Sequence, residues 1–305
     1  ILFITHKFDE IFALADRYTV FRDGCYVGEG FINDVNEEQL VEMMVARSID
    51  ETYPKKDVEI GEMLLEVTDL CHTTEFANIC FSLKKGEILG VYGLVGSGRT
   101  EVMQALFGTS RQVTGTVKME GEEVIIRSPK EAIDNGIVYV PEERQKQGIV
   151  LELPIYQNVS LPQIERLTKN GQVDQEGEMV LARQYCERLQ VKASSWNEKV
   201  MNLSGGNQQK VVIAKWLATN PKVIILDEPT KGIDIGSKSA VHAFMSELVD
   251  SGLSVIMVSS ELPEILGMSD RILVMNEGLI VGELSRAEAT PEKVVSLATG
   301  GIVSC

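Results

Sequence analysis

The sequence predicts an α/β fold in which a mostly parallel sheet is flanked by helices. Apolar runs of strand length, such as 223–226 (VIIL), alternate with amphipathic stretches of helical period. An apolar strand at 88–92 passes through a glycine-rich turn directly into an amphipathic helix. From residue 255 onward the pattern reads strand, short helix, strand, tight turn, strand and helix.

The composition excludes several classes of protein. Apolar residues make up 44% and charged residues 24% of the chain, which is typical of a globular protein. The net charge of −16 and the lack of a basic stretch argue against nucleic-acid binding. The five cysteines form no CxxC pair, so free thiols in a reducing cytoplasm are favoured. No apolar run approaches the roughly 20 residues that span a bilayer, so a membrane association would require a partner.

An internal repeat organises the chain. Residues 1–29 align without a gap with residues 255–283, with identities such as Glu10 with Glu264 and Gly28 with Gly282. We therefore interpret 1–48 as the C-terminal remnant of a first domain and 62–305 as a complete second copy. The segment between them, 49–61, is polar and without periodicity, which indicates a linker. The alternative is a chance similarity between two βαβ pieces.

The segment 93–100 (GLVGSGRT) has the pattern of a phosphate-binding loop, with Arg99 at the usual lysine position. Three glycines would let the backbone curl so that successive N–H groups point at one anion: Gly93, Gly96 and Gly98. The following helix adds its dipole and its unpaired N–H donors. The Thr100 hydroxyl can bind Mg²⁺. The alternative is an ordinary glycine turn between a strand and a helix.

Two carboxylates end the apolar strand of segment 222–234 (KVIILDEPTKGID). Asp227 is placed to hold Mg²⁺ through its water shell, and Glu228 is placed to polarise a water molecule against a terminal phosphate. We expect Glu228 to point to the other face of the strand. A buried strand that ends in two charges is costly unless those charges have partners. The alternative is a solvated turn.

A second helix start offers another anion site in segment 203–210 (LSGGNQQK). Ser204 is a favourable N-cap residue, and Gly205 and Gly206 expose backbone N–H groups at the start of the helix. One domain does not need two phosphate cradles for one nucleotide, whereas two copies that face each other do.

The ordered set of these three segments resembles the ATPase domain of ABC transporters, and the similarity covers essentially the whole chain. The resemblance implies a P-loop NTPase sheet, with ATP and Mg²⁺ as cofactors and Glu228 as a catalytic residue. It implies nucleotide contacts from the P-loop residues Gly93, Gly96, Ser97, Gly98, Arg99, Thr100 and Glu101. It implies Mg²⁺ binding by Thr100 and Asp227. In this family two domains pair head to tail, so that the signature motif of one closes the nucleotide site of the other. The resemblance assigns that motif to Ser204, Gly205, Gly206 and Gln208, and the D-loop aspartate to Asp234.

The same resemblance implies subdomains and partners. An antiparallel β subdomain is expected near 62–86 and 113–127, and a helical subdomain that contacts the membrane subunit at 150–200. The expected partners are transmembrane permease subunits, a solute-binding protein, and either the first ATPase domain of the same subunit or a second copy. Nucleic acid is not an expected partner.

Departures from the family pattern narrow the resemblance. The family's switch histidine corresponds to His6 in the first copy, a catalytic candidate, but to Ser260 in the second. The family also has a glutamine after the strand that here corresponds to GIVYV (136–140). Here a PEER sequence (141–144) follows that strand, and Gln145 and Gln147 come too late to be assigned to the glutamine. With Arg99, these features resemble the second half of tandem ATPase subunits in bacterial monosaccharide importers of the ribose, galactose and xylose type. For adenine stacking the candidates are Phe76 and His72.

The sequence therefore predicts an ATP-binding subunit that couples ATP hydrolysis to the uptake of a monosaccharide or similar solute. Such a subunit would lie peripherally at the cytoplasmic face of the membrane, and this chain alone would be weakly active. One alternative is a soluble ABC ATPase that acts on ribosomes or DNA, which the acidic composition disfavours. The other is a regulatory half that binds nucleotide without turnover, which Arg99 and Ser260 favour.

Overall fold

The computed structural model of the protein describes residues 2–3, 8–22, 25–36, 39–40, 43, 53–233 and 235–300. The described elements comprise both strands and helices, as expected of an α/β chain. The elements of the first copy are α1 (Phe8–Leu14), β1 (Arg17–Arg22) and β2 (Cys25–Phe31). The next ones in order are β3 (Met63–His72), β4 (Ile79–Lys84), β5 (Ile88–Gly93), α2 (Arg99–Leu106), β6 (Val113–Met119), β7 (Glu122–Val124), α3 (Pro129–Asp134), β8 (Ile137–Val140), α4 (Ile155–Ser160), α5 (Ile164–Leu167), β9 (Thr168–Lys169), β10 (Gln172–Val173) and α6 (Gln175–Arg188). The last ones are α7 (Gly205–Leu217), β11 (Val223–Asp227), α8 (Ile235–Asp250), β12 (Ser254–Ser259), α9 (Leu262–Met268), β13 (Arg271–Asn276), β14 (Leu279–Ser285) and α10 (Pro291–Ala298).

The central sheet has the strand order β14-β13-β5-β12-β11-β8, and all its pairings are parallel except that of β13 with β14. Strands β5, β8, β11 and β12 are buried along their whole length. Helices cover both faces of such a sheet, which is why its strands are continuous apolar runs rather than alternating ones. Because these strands are parallel, the turns that follow them meet at one edge of the sheet.

Two smaller layers complete the second copy. Strands β4, β3, β6 and β7 form an antiparallel sheet in that order. Helices α4 and α6 pack against each other and against α7, and the short hairpin of β9 and β10 lies between α5 and α6. The expected antiparallel and helical subdomains are therefore confirmed. Within the described ranges, none of the helices has the length and apolar character needed to cross a membrane.

The first-copy elements repeat those near the end of the chain. Helix α1 and strands β1 and β2 begin and end at the residues that align with the bounds of α9, β13 and β14. Each hairpin also has a register shift at the same aligned place, between Val20 and Phe21 in one and between Val274 and Met275 in the other. The aligned sequences thus adopt the same local structure, down to the bulge.

The described part of the predicted linker, 53–61, packs against the second copy. The Lys55 ammonium lies 2.5 Å from an Asp270 carboxylate oxygen, and the Lys55 side chain is 5% exposed. The Ser246 hydroxyl donates a hydrogen bond to the Pro54 carbonyl at 2.7 Å. This segment is therefore held by specific contacts with α8 and with the residue that precedes β13.

The close packing of α9 on the sheet depends on a glycine in β5. A Cβ added to Gly90 would lie 2.1 Å from the Ser269 hydroxyl and 3.0 Å from the Ser269 Cβ. We expect Gly90→Ala to lower the free energy of unfolding by about 1–3 kcal/mol, because overpacking forces side chains or backbone to move. Urea unfolding of the purified chain measures this change.

The matched control is Gly90→Ala combined with Ser269→Gly, which removes the obstructing atoms. We expect Gly90→Ala to lower the stability less in a chain that already carries Ser269→Gly than in the unsubstituted chain. A Gly90→Ala variant of unchanged stability, or a pair with additive losses, would contradict this account.

Candidate nucleotide-binding and catalytic site

The glycine-rich turn joins β5 to α2. Gly96 and Gly98 have φ of +82° and +92°, a backbone region that residues other than glycine rarely adopt. Gly98 is the N-cap of α2, and a Cβ there would lie 3.1 Å from the Gly278 Cα. A Cβ on Gly93 would lie 2.5 Å from the Ser97 hydroxyl, so this glycine permits the tight return of the chain. The turn therefore has the curled backbone that the sequence predicted.

The start of α2 is polar and largely buried. The side chains of Ser97 and Arg99 are buried, whereas Thr100 and Glu101 in the first turn of the helix are partly exposed. The Ser97 hydroxyl and the Arg99 Nη1 have no hydrogen-bond partner among the described residues. Buried donors of this kind are costly unless a ligand satisfies them, so this helix start suits a bound anion.

The Asp227 carboxylate lies at the end of β11 and is fully buried. The Tyr139 hydroxyl donates a hydrogen bond to its Oδ2 at 2.7 Å, while Oδ1 has no partner among the described residues. Burial raises the pKa of Asp227, and the hydrogen bonds from Tyr139 and Thr100 oppose that rise. Burial outweighs these hydrogen bonds and the nearby Arg99 charge, and a divalent metal ion held by Asp227 and Thr100 would add the missing compensation.

Glu228 has left the strand, contrary to the expectation that it points to the strand's other face. Its φ of +48° is in the left-handed region, and its N–H donates to the Val258 carbonyl at 2.9 Å. One carboxylate oxygen lies 3.5 Å from the Arg99 Nη2, and both side chains are 9% exposed. The left-handed backbone conformation therefore places the Glu228 carboxylate near Arg99, at the glycine-rich turn.

The pKa of Glu228 is raised by burial, against the opposing effects of the Ser260 hydroxyl and the Arg99 guanidinium. A carboxylate with a raised pKa accepts a proton more readily, which suits a general base. Ser260, which occupies the place of the family's switch histidine, therefore lies beside Glu228.

The predicted signature segment begins α7. Ser204 is at the N-cap position, but its hydroxyl accepts a hydrogen bond from the Asn207 side-chain amide at 2.9 Å instead of capping the backbone. A Cβ on Gly206 would lie 2.5 Å from the Ser237 hydroxyl, so this glycine allows α7 and α8 to approach. Gln208 is 4% exposed and donates to the Val200 and Leu203 carbonyls. Its amide therefore holds the helix start in place, whereas Ser204 and Gly205 lie nearer the surface.

Arg144 connects two predicted motifs, and the sequence interpretation assigned it no role. Its guanidinium donates hydrogen bonds to the Lys231 carbonyl at 3.0 Å and to the Gly232 carbonyl at 3.3 Å. A Cβ on Gly205 would lie 2.9 Å from its Nη2. Beside it, Glu142 forms an ion pair with the Lys231 side chain. Glu142 and Arg144, which belong to the PEER sequence, thus link the turn after β11 to the signature segment.

Gln145 and the adenine-stacking candidates also have defined places. The Gln145 amide donates to the Gln208 side chain at 3.0 Å, so it contacts the signature helix. Phe76 is 3% exposed, which leaves it no open ring face for a base, whereas His72 is partly exposed. Two predicted site residues, His6 and Asp234, lie outside the described residues.

The sequence pattern of one family, described as ABC transporter, matches residues 76–231. This stretch makes up about half of the chain and contains the glycine-rich turn, the signature segment and the two carboxylates. The chain belongs to the ABC transporter family. Membership agrees with the resemblance inferred from the motifs and with the arrangement of their residues at one edge of the sheet.

Relatives of this ABC transporter chain carry importer names. It is 60% identical over 300 residues to the ribose import ATP-binding protein RbsA 1 of Rhizobium meliloti (strain 1021), covering 98% of this chain and 60% of the relative. It is 48% identical to the putative ribose/galactose/methyl galactoside import ATP-binding protein 2 of Rhizobium etli, covering 98% of this chain and 58% of the relative. The chain thus spans about 60% of the length of the curated relatives it matches.

Solved structures of ABC ATP-binding cassettes share the fold. A nucleotide-free cassette from an ABC transporter superposes with a TM-score of 0.67 at 24% identity, covering 77% of this chain and 98% of the cassette. The ADP conformation of another superposes with a TM-score of 0.64 at 22% identity, covering 78% of this chain and 99% of the cassette. The predicted fold class, a parallel sheet flanked by helices with antiparallel and helical subdomains, is confirmed.

The hydrogen bond from Tyr139 to Asp227 gives a testable consequence. We expect Tyr139→Phe to weaken Mg²⁺-dependent nucleotide binding about tenfold, because partners of a ligating carboxylate orient it and tune its charge. The bond lowers the pKa of Asp227, so its loss raises that pKa and the defect should grow as the pH falls. Titration of the chain with Mg²⁺ at fixed fluorescent ATP analogue and several pH values measures this effect.

Tyr156→Phe is the matched control, because the Tyr156 hydroxyl accepts a hydrogen bond from Gln175 within the helical subdomain. It should bind Mg²⁺ and nucleotide as the unsubstituted chain does. Equal behaviour of the two phenylalanine variants would argue against a metal at Asp227.

Proposed function

We propose that this chain binds ATP with Mg²⁺ at the junction of β5, α2 and β11. The observation that carries the proposal is a set of buried polar atoms that lack hydrogen-bond partners among the described residues and surround the glycine-rich turn: Ser97 Oγ, Arg99 Nη1 and Asp227 Oδ1. Two are donors suited to phosphate and one is an acceptor suited to a cation. A Mg²⁺–polyphosphate ligand satisfies both kinds at once.

The residues of the site divide the chemistry among them. Thr100 and Asp227 would hold Mg²⁺, which when bound neutralises charge on the phosphates. The backbone N–H groups at Gly96, Gly98 and the start of α2 bind the phosphates. Glu228 accepts a proton on its carboxylate from the attacking water. The raised pKa of Glu228 supports this role.

Arg99 has two competing partners in this scheme. Its guanidinium faces the Glu228 carboxylate at 3.5 Å, and phosphate oxygens would attract the same group. Nucleotide binding therefore draws Arg99 away from Glu228 and leaves the carboxylate available as a base. An arginine at this position still supports binding, because the curled backbone and the helix start do not depend on it.

The signature segment serves an opposing cassette. Ser204, Gly205 and Gly206 lie at a helix start that Arg144 braces, and Asp234 belongs to the adjacent D-loop. We assign residues 1–48 to the end of a first cassette, 49–61 to a connecting segment and 62–305 to the second cassette. The repeated bounds of α1, β1 and β2 support this division, as does the near-complete coverage of solved cassettes. The opposing cassette is the first one of the same subunit or a second copy.

The hydrolysis powers import of a monosaccharide such as ribose. The names of the relatives support this direction of transport and class of solute. The chain would work with separate permease subunits and a solute-binding protein, peripherally at the cytoplasmic face of the membrane. The acidic charge of −16 and the importer relatives disfavour a soluble ATPase that acts on ribosomes or DNA.

The general-base role of Glu228 is tested by Glu228→Gln. We expect the variant to bind an ATP analogue as tightly as the unsubstituted chain, and to release phosphate about a hundredfold more slowly, because the proton acceptor is lost. Single-turnover hydrolysis with the chain in excess over ATP measures even slow cleavage. Glu123→Gln, at an exposed position in β7, is the control and should not change the rate. Unimpaired cleavage by Glu228→Gln would refute the proposed role.

The two nucleotide sites of a tandem form with a complete first cassette should differ. The site closed by the Ser204 segment would use the first cassette's own P-loop together with His6, whereas the other site uses Arg99 and Ser260. We expect Ser204→Arg to abolish most ATP hydrolysis, because the bulky charge blocks the signature segment, and Arg99→Ala to cost less. Steady-state phosphate release compares them. Equal losses would count against an asymmetric pair.

A further inference from the structure

A buried carboxylate outside the proposed nucleotide site contacts the turn of residues 228–231, which follows β11 and is called the catalytic turn below. Glu264 in α9 is 1% exposed. Its Oε1 accepts a hydrogen bond from the Thr230 hydroxyl at 3.0 Å and lies 2.7 Å from the His242 Nε2. Thr230 and His242 are each 2% exposed. The three side chains therefore form a buried polar group that joins α8 and α9 to the turn after β11.

The surroundings of Glu264 favour its charged form despite its burial. Burial by itself would raise its pKa, but the hydrogen bond and charge of His242, with the hydroxyls of Ser259 and Thr230, outweigh that effect and lower the pKa. The Thr230 hydroxyl donates to the Glu264 Oε1, and the His242 Nε2 lies within hydrogen-bond distance of the same oxygen. A buried charge of this kind costs several kcal/mol if it is left uncompensated, so removal of one partner disturbs the others.

Thr230 belongs to the turn that sets the direction of Glu228. The Lys231 N–H donates to the Glu228 carbonyl at 3.1 Å, so Glu228, Pro229, Thr230 and Lys231 form a β-turn. Glu228 itself has a φ of +48°, a strained value for a residue with a side chain. Such strain persists only where neighbouring contacts hold it. The Val258 carbonyl holds the turn at the Glu228 N–H, and Glu264 holds it at Thr230.

We propose that Glu264, supported by His242, is a positioning residue that keeps the Glu228 carboxylate directed at the nucleotide site through its hydrogen bond with Thr230. This inference rests on the proposed function, since it assumes that Glu228 is the base. Without the anchor at Thr230, the turn relaxes toward ordinary φ values and the Glu228 carboxylate loses its place beside Arg99 and Ser260. Glu264 and His242 would act through Thr230, without contact with the nucleotide.

Tyr53, in the described part of the connecting segment, packs against this group. The Tyr53 ring lies 5.1 Å from the His242 ring, measured between centroids, at an interplanar angle of 37°. A Cβ on Gly267 would lie 2.6 Å from the Tyr53 Cγ, so glycine in α9 makes room for the ring. The ring keeps water from the His242–Glu264 pair, which strengthens the pair. Tyr53 of the connecting segment is therefore linked to the catalytic turn by a chain of contacts through His242, Glu264 and Thr230.

The test removes the hydroxyl of Thr230 while keeping its shape. We expect Thr230→Val to lower the single-turnover rate on the order of tenfold or more, because misplacement of a reacting group by about 1 Å costs that much. Its affinity for an ATP analogue should stay within about twofold of the unsubstituted chain, since the phosphate cradle is intact. Thr230→Ser retains the donor and should retain most of the rate.

The matched control is Thr219→Val, because the Thr219 hydroxyl donates to the Trp216 carbonyl at 2.7 Å beyond the end of α7, and its loss should not affect turnover. Glu264→Met provides a second route to the same bond. If both substitutions act through that bond, the pair Thr230→Val with Glu264→Met should be no slower than the slower single variant. If Thr230→Val does not fold, Thr230→Ala replaces it.

Three results would overturn the proposal. They are an unchanged rate in Thr230→Val, a parallel loss of rate and nucleotide affinity, and a Thr230→Ser variant as slow as Thr230→Val. Glu228→Gln is assayed alongside. If it cleaves ATP normally, the proposed function has failed, whereas if it is inactive and Thr230→Val is not impaired, only the positioning role has failed.

Discussion

Two carboxylates buried at the carboxyl edge of the central sheet are the constraint on which the site depends. Asp227 is fully buried at the end of β11, and Glu228 follows it in a strained conformation. Charges taken out of water cost several kcal/mol each unless partners compensate them. Tyr139 and Arg99 compensate in part, yet burial still raises the pKa of both carboxyl groups. The two carboxyl groups are thus incompletely compensated, which favours the proposed binding of a cation together with a phosphate ligand.

The backbone around these carboxylates accommodates the same ligand. The five parallel strands place the turns that follow them at one edge of the sheet, so groups far apart in the chain meet there. Glycines at positions 96 and 98 permit the positive φ values that curl the first turn. The helix that follows begins with unpaired N–H groups directed into that curl. Backbone and side chains therefore favour the same charge pattern, with negative phosphate at the helix start and a cation beside Asp227.

A second layer of buried polar contacts lies behind the site and reaches the connecting segment. Glu264 and His242 tie α9 and α8 to the catalytic turn, and Tyr53 packs on the outer side of His242. The ion pair of Lys55 with Asp270 holds the same segment at the start of β13. Residues 53–56 of this segment therefore pack against α8, α9 and the start of β13.

The sequence by itself determined the local features of this protein. Glycine spacing predicted the curled turn, apolar runs predicted the buried strands, and the gapless repeat predicted paired elements with the same bounds, because each depends on residues close together in the chain. The tertiary structure decided which distant groups meet. Tyr139 bonds to Asp227 across 88 residues, Arg144 reaches the carbonyl of Gly232 across another 88, and Glu228 turns out of its strand. Those contacts follow from the order of strands in the sheet and the packing of helices on it, and hydrophobic period alone does not specify either.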